Sequence, residues 1–230
     1  MTANVPDRPA SADPPRPPHR YGARSADADP RRHRQGPSPE RGEFLRALNR
    51  RQIEDRTREL GELYTRTSPG EPWATETERA VAFLRRLAGD MRRPGFELVV
   101  AETAGPGGTA VITGCAYGFL VTGEGPWWQG LDEYLPDGLR RLAAAGRLFA
   151  VGDILVERRV RTQDQGRDWN LARRLQGRLL ADHVDTLGVT LVDRGDTDAV
   201  AALLAWGWQR VPGEVTGPSA TDHGRLLVLR

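Results

Sequence analysis

Apolar residues recur every three to four positions in two stretches near the start of the sequence, which is the spacing of a helix with one buried face. The first stretch predicts a helix over residues 52–65, with Ile53, Leu60 and Leu63 on its apolar side. The second stretch predicts a helix over residues 75–91. Both segments therefore favour helices that pack against a larger layer.

Strand patterns dominate the middle of the chain. Residues 96–103 and 109–121 are rich in β-branched and aromatic residues, and the AGPGG between them is a turn signal, so they predict a hairpin. The other predicted elements are a strand over 44–48, a break at PGEPW (69–73), a helix over 139–145, a strand over 147–157, a helix over 171–187 with Leu171, Leu175, Leu179 and Val184 on one stripe, a strand over 189–193, a helix over 198–205, and strands in WGWQRV and over 225–229. This order predicts an α/β fold whose mixed sheet of about six to seven strands is flanked by helices.

The first 41 residues differ in composition from the rest. They hold nine of the 17 prolines and almost no large apolar residues. Such a segment cannot bury enough surface to offset the entropy cost of ordering it. We predict a disordered tail over residues 1–41, either passive or recruiting a partner, and one folded domain over residues 42–230.

The distribution of charge argues against a nucleic-acid-binding domain. All 33 basic residues are arginine, and the formal net charge is only +2. The tail holds eight arginines against five acidic residues, which leaves 25 against 26 for the domain. A nearly neutral domain lacks the basic face of nucleic-acid binders, so that function would rest on the arginine-rich tail alone.

Several other classes of protein are also disfavoured. A single cysteine, Cys115, excludes an internal disulfide and a cysteine-rich metal site, and we expect it in the core. The histidines, His19, His33, His183 and His223, show no metal-ligand spacing. No apolar run approaches the about 18 residues of a membrane span, and no signal-peptide core is present. We therefore expect a soluble, cytoplasmic monomer or homodimer.

The order of predicted elements resembles the GNAT acetyltransferase fold, from about Phe44 to Leu229. GDILVERRVR…LARRLQGRLL is similar to that family's strand, cofactor loop and helix, and VTLVDRGDTDAVAALLAWGWQRV to its next strand, helix and closing strand. MRRPGFELVVAE, with GCAYGFLV and WWQG, is similar to the front half of acetyltransferases from GC-rich, actinobacterial-type bacteria. The resemblance implies acyl transfer from acetyl-CoA, or another acyl-CoA, to a small-molecule or peptide amine, without a metal.

The resemblance places the coenzyme's phosphates in the loop between the predicted strand and helix, where free backbone N–H groups at a helix start bind anions. The family's Arg/Gln-x-x-Gly-x-Gly/Ala pattern aligns in one register with Gln163, Gly166 and Asp168, and the last of these replaces a small residue. In a second register the flanks align and residues 162–170 form an expanded loop. We favour the second register, because its flanks match better.

Either register leaves an imperfect phosphate cradle. Charge from Arg161 and Arg167 is expected to replace missing backbone contacts. The open alternative is a solvated loop in a domain that no longer binds coenzyme A. The coenzyme-binding residues implied by the resemblance are Ile154, Leu155, Val156, Arg161, Gln163, Gly166, Arg167, Leu171, Ala172 and Asp196.

Asp153 is the candidate general base. On a regular strand it shares a face with Phe149, Val151 and Leu155, and a carboxylate on an apolar face lies either in a cleft or in an ion pair. In the family a glutamate often occupies this place and helps to deprotonate the amine. An ion pair with one of the arginines is the equally open alternative. The backbone of Leu155 and Val156 would orient the thioester.

The general acid that the family often places on its last helix is a tyrosine, and here that place holds Leu203. The acid is therefore absent or supplied by Tyr117, Tyr134 or a water. Asp196 either approaches the cofactor or simply caps the helix after it. The residues expected around the acceptor are Tyr117, Trp127, Trp128 and Tyr134, and the three in the loop after the hairpin form either a pocket wall or a packed lid.

The leading hypothesis is an acyl-CoA-dependent N-acetyltransferase that works by direct transfer in a ternary complex. The alternative is a catalytically inactive scaffold or partner-binding module of the same fold, with a decayed coenzyme site. Leu203, Asp168 and the expanded loop favour the alternative.

Overall fold

The computed structural model of the protein describes residues 43–68, 74–122, 136–193, 195–211, 215–216 and 223–229. Within these ranges the chain forms eight strands and seven α-helices. The strands are β1 (Glu43–Ala47), β2 (Glu97–Ala104), β3 (Ala110–Leu120), β4 (Leu148–Leu155), β5 (Leu187–Asp193), β6 (Gln209–Arg210), β7 (Val215–Thr216) and β8 (His223–Leu229). The helices are α1 (Arg50–Asp55), α2 (Thr57–Thr67), α3 (Glu76–Asp90), α4 (Asp137–Ala144), α5 (Arg158–Thr162), α6 (Leu171–Leu180) and α7 (Thr197–Ala205).

The strands form one sheet in the order β1-β2-β3-β4-β5-β8-β6, with the two-residue β7 also paired to β8. All described pairs are antiparallel except β4 with β5, which run parallel. The predicted mixed α/β fold is therefore confirmed, with seven strands along the main path. The predicted tail over residues 1–41 and the break at 69–73 lie outside the described residues.

The hairpin of β2 and β3 forms where the sequence predicts it. Gly107 and Gly108 have φ angles of 75° and 80°, a left-handed conformation that favours glycine. The chain closes there with a hydrogen bond of 2.7 Å from the Gly105 N–H to the Thr109 carbonyl. The AGPGG signal thus sets the register that places Tyr117 opposite Leu98 on β2.

The two faces of the sheet carry different helices. One face packs against α2 and α3 through residues such as Leu60, Phe83 and Tyr117, all buried. The opposite face packs against α6 and α7 through Leu175 and Trp206 together with β-strand residues. Burial of apolar side chains on both faces holds the sheet between two helical layers.

Two predicted helices differ from those observed. The predicted helix over 52–65 is divided at Arg56, whose φ and ψ of −111° and 16° leave the helical region. The predicted helix over 171–187 ends at Leu180, and Val184 is 82% exposed instead of lying on the apolar stripe. The chain turns after Leu180, and the His183 ring stacks on Phe149 at 4.0 Å between ring centroids.

A β-bulge in β4 changes which face Asp153 occupies. Tyr117 pairs with Asp153 and Gly118 with Val151, so Gly152 is an extra residue on β4. Before the bulge, Val151 packs towards α6 and α7. After it, Asp153 bonds to Tyr117 on the opposite face. The expectation that Asp153 shares a face with Phe149 and Val151 is therefore wrong, because a bulge reverses the alternation.

Among the helices in the described ranges, none has the length and apolar character needed to cross a membrane.

Candidate functional site

A cleft opens where the two parallel strands separate. The strands β4 and β5 pair only over Leu148–Ala150 and Leu187–Val189, and beyond these residues a cavity of about 200 Å³ lies between them. Ligands of open α/β sheets bind at the carboxyl ends of such strands. The lining includes Val151, Asp153, Ile154, Arg161, Thr190, Asp193, Asp196, Leu203 and Trp206.

Thr190 marks the start of the cleft. Its buried hydroxyl donates to the Val151 carbonyl at 3.0 Å, in place of a further backbone pair. Beyond this point, the edge of β4 that faces β5 has no partner strand among the described residues. An unpaired strand edge presents N–H and C=O groups that can bond an extended, amide-containing ligand.

Asp153 lies beside this edge and is held by two donors. The Arg86 Nη2 and the Tyr117 hydroxyl donate to the same atom, Asp153 Oδ2, at 2.9 and 3.0 Å. No donor among the described residues contacts Oδ1, and the side chain is 28% exposed. The ion pair that the sequence left open is therefore present. It occupies one of the two carboxylate oxygens.

The two donors keep their protons. Burial raises the pKa of Tyr117 well above its ordinary value, and the Asp153 carboxylate raises it further. Burial lowers the pKa of Arg86, but Asp153 and Tyr117 outweigh that effect and leave the pKa raised. The Arg86 guanidinium also lies 5.9 Å from the Tyr64 ring centroid and 5.8 Å from that of Phe83. These ring contacts fix the position of the Arg86 side chain, which α3 places beside Asp153.

Candidates for the general acid are poorly placed. Leu203 lines the cleft, is 6% exposed and has no ionisable group. The Tyr117 hydroxyl is buried, and its proton is donated to Asp153. The other candidate from the sequence, Tyr134, lies outside the described residues, as do Trp127 and Trp128.

Asn170 organises the loop that the sequence assigned to phosphate binding, and the sequence reading missed it. It is 1% exposed, and its Oδ1 accepts from the Ala172 and Arg173 backbone N–H groups at 3.1 and 3.3 Å. Its Nδ2 donates to the carbonyls of Val160 and Gln163 at 2.8 and 3.4 Å. Two donors of the first turn of α6 are thus satisfied from within the chain. An asparagine directly before a segment with helical apolar spacing predicts a helix N-cap, and this signal could have identified Asn170 from the sequence.

The arginines expected to bind phosphate have different surroundings. Arg161 lines the cleft, lies 3.5 Å from the Asp196 carboxylate and donates to the Thr67 carbonyl at 3.3 Å. Arg167 is exposed on the loop. The cleft therefore brings Arg161 together with Asp153, and the structure does not bring Arg167 into its lining.

Some of the remaining predicted coenzyme-binding residues line the cleft, and others are packed in the apolar core. Ile154 lines the cleft, whereas Leu155, Val156 and Ala172 are buried in the apolar core. Asp196 lines the cleft and also accepts from the Ala199 N–H at 2.9 Å, which makes it the cap of α7. Leu171 is the first residue of α6 and is half-buried, while Gln163 is exposed.

Gly166 shows no packing need for glycine. An added Cβ there would meet no atom of the described structure within 4 Å. Close packing therefore does not require glycine at position 166.

Cys115 is fully buried, and burial raises the pKa of its thiol, with Asp153 adding to that effect. This placement confirms the expected core role. Within the described ranges, His, Cys, Asp and Glu do not form any group of three or more that could hold a metal ion.

The coenzyme that the resemblance implies fits one part of this site better than another. The open edge of β4 can bond the two amides of a pantetheine arm. The Asn170 side chain, in contrast, already occupies the N–H groups of Ala172 and Arg173 that a pyrophosphate would use.

Comparison with known proteins supports the fold. No protein-family model matches the chain, and no curated protein matches it significantly. Among solved structures, a protein assigned to the GNAT acetyltransferase family from Desulfovibrio desulfuricans is 13% identical, with 82% of this chain and 98% of that chain covered and a TM-score of 0.52. The aminoglycoside acetyltransferase AAC(6')-Ib in complex with coenzyme A is 18% identical, with 81% and 94% covered and a TM-score of 0.49. The chain thus has the fold of the GNAT acetyltransferases.

Proposed function

We propose that this protein is an acyl-CoA-dependent N-acyltransferase that moves an acetyl group, or another acyl group, to an amine. The observation that carries the proposal is the cleft itself. It combines an unpaired edge of β4 with a carboxylate, Asp153, whose Oδ1 has no donor among the described residues. A thioester arm bonded along the strand edge would therefore meet an available proton acceptor.

Asp153 acts in this scheme as the group that receives a proton. The ammonium form of the acceptor gives one proton to Oδ1, directly or through a water, and the resulting neutral nitrogen attacks the thioester carbonyl carbon. The attack forms the C–N bond and leaves an oxyanion on the carbonyl oxygen. The C=O bond then re-forms as the C–S bond breaks, and the second proton of the nitrogen passes to the departing thiolate. Backbone N–H groups on the open edge would stabilise the oxyanion formed on the way.

Arg86 and Tyr117 are positioning residues in the same scheme. Both donate to Oδ2, and neither shares Oδ1. They fix the carboxylate in one rotamer. The protonated state of both donors follows from the raised pKa values of Arg86 and Tyr117.

The charge of the cleft favours a cationic acceptor. Asp153, Asp193 and Asp196 line it with Arg161. Asp153 is paired with Arg86 and Asp196 with Arg161, so Asp193 is the lining carboxylate without an ion pair among the described residues. An ammonium group would be attracted to such a surface. The proposed acceptors are therefore amines on a small molecule or at a peptide N-terminus.

The test uses the purified full chain with acetyl-CoA and a panel of amines. Release of free thiol that requires both the chain and an amine would support the proposal. The Asp153→Asn variant should lose this release while its melting temperature stays close to that of the wild type. Thiol release that persists in the variant would remove Asp153 from the mechanism.

A second candidate is a non-catalytic protein of the same fold. It is favoured by Asn170, which fills the first turn of α6, and by Leu203 in the place of an acid. A thermal-shift assay separates the two candidates, because a ligand that binds only the native state raises its stability. If no thioester raises the melting temperature, the non-catalytic role is preferred.

A further inference from the structure

We propose that Asn170 closes the first turn of α6 to phosphate, so that a thioester donor is held in this chain by its pantetheine arm and not by its pyrophosphate. The identity of the donor rests on the proposed function. The closing of the helix terminus by Asn170 rests on the geometry of the loop alone.

The first support is that the Asn170 side chain takes the position of a ligand anion. Helix N-termini bind phosphate because their first N–H groups lack partners inside the helix. In α6 the Ala172 and Arg173 N–H groups already donate to Asn170 Oδ1. A phosphate would have to displace a buried amide that is held at its other end by the Val160 and Gln163 carbonyls.

The second support is that the loop before α6 is tied down by side chains of the chain itself. The Trp206 Nε1–H donates to the Gln165 carbonyl at 2.8 Å, and the Gln165 side chain donates to the Arg161 carbonyl. Arg173 binds the Gly166 carbonyl and the Asp168 carboxylate, both at 3.0 Å. A loop held by these contacts is not poised to wrap around a ligand.

The third support is electrostatic. Arg161 is matched by Asp196, and Arg173 is matched by Asp168, whose side chain is 96% exposed. Two of the positive charges near this turn thus have a carboxylate beside them, whereas Arg167 is exposed and has no carboxylate partner among the described residues. Those two carboxylates weaken the attraction of a pyrophosphate to Arg161 and Arg173.

The consequence is a specific preference between ligands. Coenzyme A and pantetheine share the same arm, and pantetheine lacks the nucleotide and all its phosphates. A site that bonds a pyrophosphate binds coenzyme A far better, because each charge-assisted bond contributes roughly tenfold or more. In this chain the two ligands should bind with dissociation constants within about threefold of each other.

The experiment is isothermal titration of the full chain with coenzyme A and with pantetheine, under reductant and at fixed salt. The wild type should show a ratio of dissociation constants near one. The Asn170→Gly variant frees two N–H groups, so coenzyme A should bind about tenfold more tightly while pantetheine is unchanged. The Asn170→Asp variant retains an oxygen cap and adds negative charge, so it should show no gain for coenzyme A.

Several results would overturn the proposal. A wild type that prefers coenzyme A over pantetheine by more than about thirtyfold would show that the phosphates are bound after all. A folded Asn170→Gly variant without any gain for coenzyme A would show that Asn170 is not the barrier. If Asn170→Gly does not fold, the wild-type ratio decides the question.

Failure of the proposed function gives a different pattern. If the wild type binds neither coenzyme A nor pantetheine, the acyltransferase proposal fails. The Asn170 proposal is then tested with inorganic pyrophosphate, which should leave the wild-type melting temperature unchanged and raise that of Asn170→Gly. A rise in the wild type would overturn it.

Discussion

The edge of β4 that lines the cleft, here called the open end, and the first turn of α6, here called the closed end, differ in whether their backbone groups have partners. Along β4 beyond Val151 the strand edge towards β5 has no partner among the described residues, and one oxygen of Asp153 has no donor there. At the first turn of α6 the Ala172 and Arg173 N–H groups donate to Asn170, and Arg161 and Arg173 are paired with carboxylates. Free polar groups mark a place for a ligand, whereas satisfied groups mark a place that is complete without one.

The largest expected effect concerns the open end. Asp153→Asn should lower turnover by about 10²–10⁴-fold, as is typical when a general base is lost. Coenzyme A affinity should change little, since in the proposed scheme the carboxylate contacts the amine acceptor and not the coenzyme. Stability should fall by less than about 1 kcal/mol, because the Arg86 pair is partly exposed and therefore screened.

A matched control keeps this measurement specific. Asp182→Asn removes an exposed carboxylate that pairs with Arg178 on α6, away from the cleft lining. It should leave turnover and melting temperature unchanged. Asp153→Asn could instead lower stability by several kcal/mol and leave turnover per folded molecule intact. Asp153 would then serve only to stabilise the fold, as Asn170 does, and the difference between the open and closed ends would be contradicted.

Much of the open end could be predicted from sequence. The β-hairpin, the mixed sheet and the position of Asp153 near the end of β4 follow from alternation and turn residues, which are local signals. Its partner could not be predicted, because Arg86 lies 67 residues away and their contact depends on how α3 packs. The face of Asp153 was missed because Gly152 adds a residue to the strand, although a glycine inside a strand is a recognised signal of a bulge.

The closed end was less predictable. The sequence indicated a polar loop, but not the short helix α5 (Arg158–Thr162) at its start or the inward-facing amide of Asn170. A polar side chain in a loop can hydrogen-bond to solvent, to a ligand or to the backbone of its own chain. Which partner it has depends on tertiary contacts, and these cannot be predicted from the local sequence pattern. The loop's tie to Trp206, 41 residues from Gln165, is of the same kind.

Because Tyr117 is buried, the free energy of unfolding should depend on pH in the alkaline range, and this dependence tests whether Tyr117 stays protonated beside Asp153. Its pKa is raised, so the folded state holds the phenolic proton more firmly than the unfolded state does. This contribution is complete below about pH 10, the usual tyrosine pKa, and is lost above it by up to about 1.4 kcal/mol per pH unit until the folded pKa is reached.

Tyr117→Phe should therefore be about 1 kcal/mol less stable than the wild type at pH 8, because a hydrogen bond to Asp153 is lost. The gap should narrow as pH rises past about 10, since only the wild type carries the phenol. Denaturant unfolding at several pH values measures both free energies. A gap that stays constant up to about pH 11 would contradict the buried, protonated state of Tyr117.

A further effect on stability is expected at the closed end. Asn170→Ala removes the cap of α6 and the two bonds from Nδ2, and should destabilise the chain by about 1–2 kcal/mol. Asn49→Ala is the matched control, since Asn49 caps α1 with a 2.9 Å bond from the Gln52 N–H but is exposed. Its loss should be about 0.5–1 kcal/mol. Equal losses at the two caps would mean that burial of Asn170 adds nothing to the loop.

The smallest effect is expected where the sequence alone predicted a large one. Arg161 and Arg167 were the expected phosphate contacts, yet Arg161 is paired with Asp196 and Arg167 lies exposed outside the cleft lining. Replacing both with alanine should weaken coenzyme A binding by less than about threefold, or about 0.7 kcal/mol. Titration with coenzyme A and with pantetheine measures the effect, and Arg158→Ala controls for the loss of a loop charge. A loss of more than tenfold for coenzyme A alone would show that the loop arginines hold the phosphates without the help of the helix terminus. In that case the closed end would still bind a ligand through its side chains, and only its backbone would be complete.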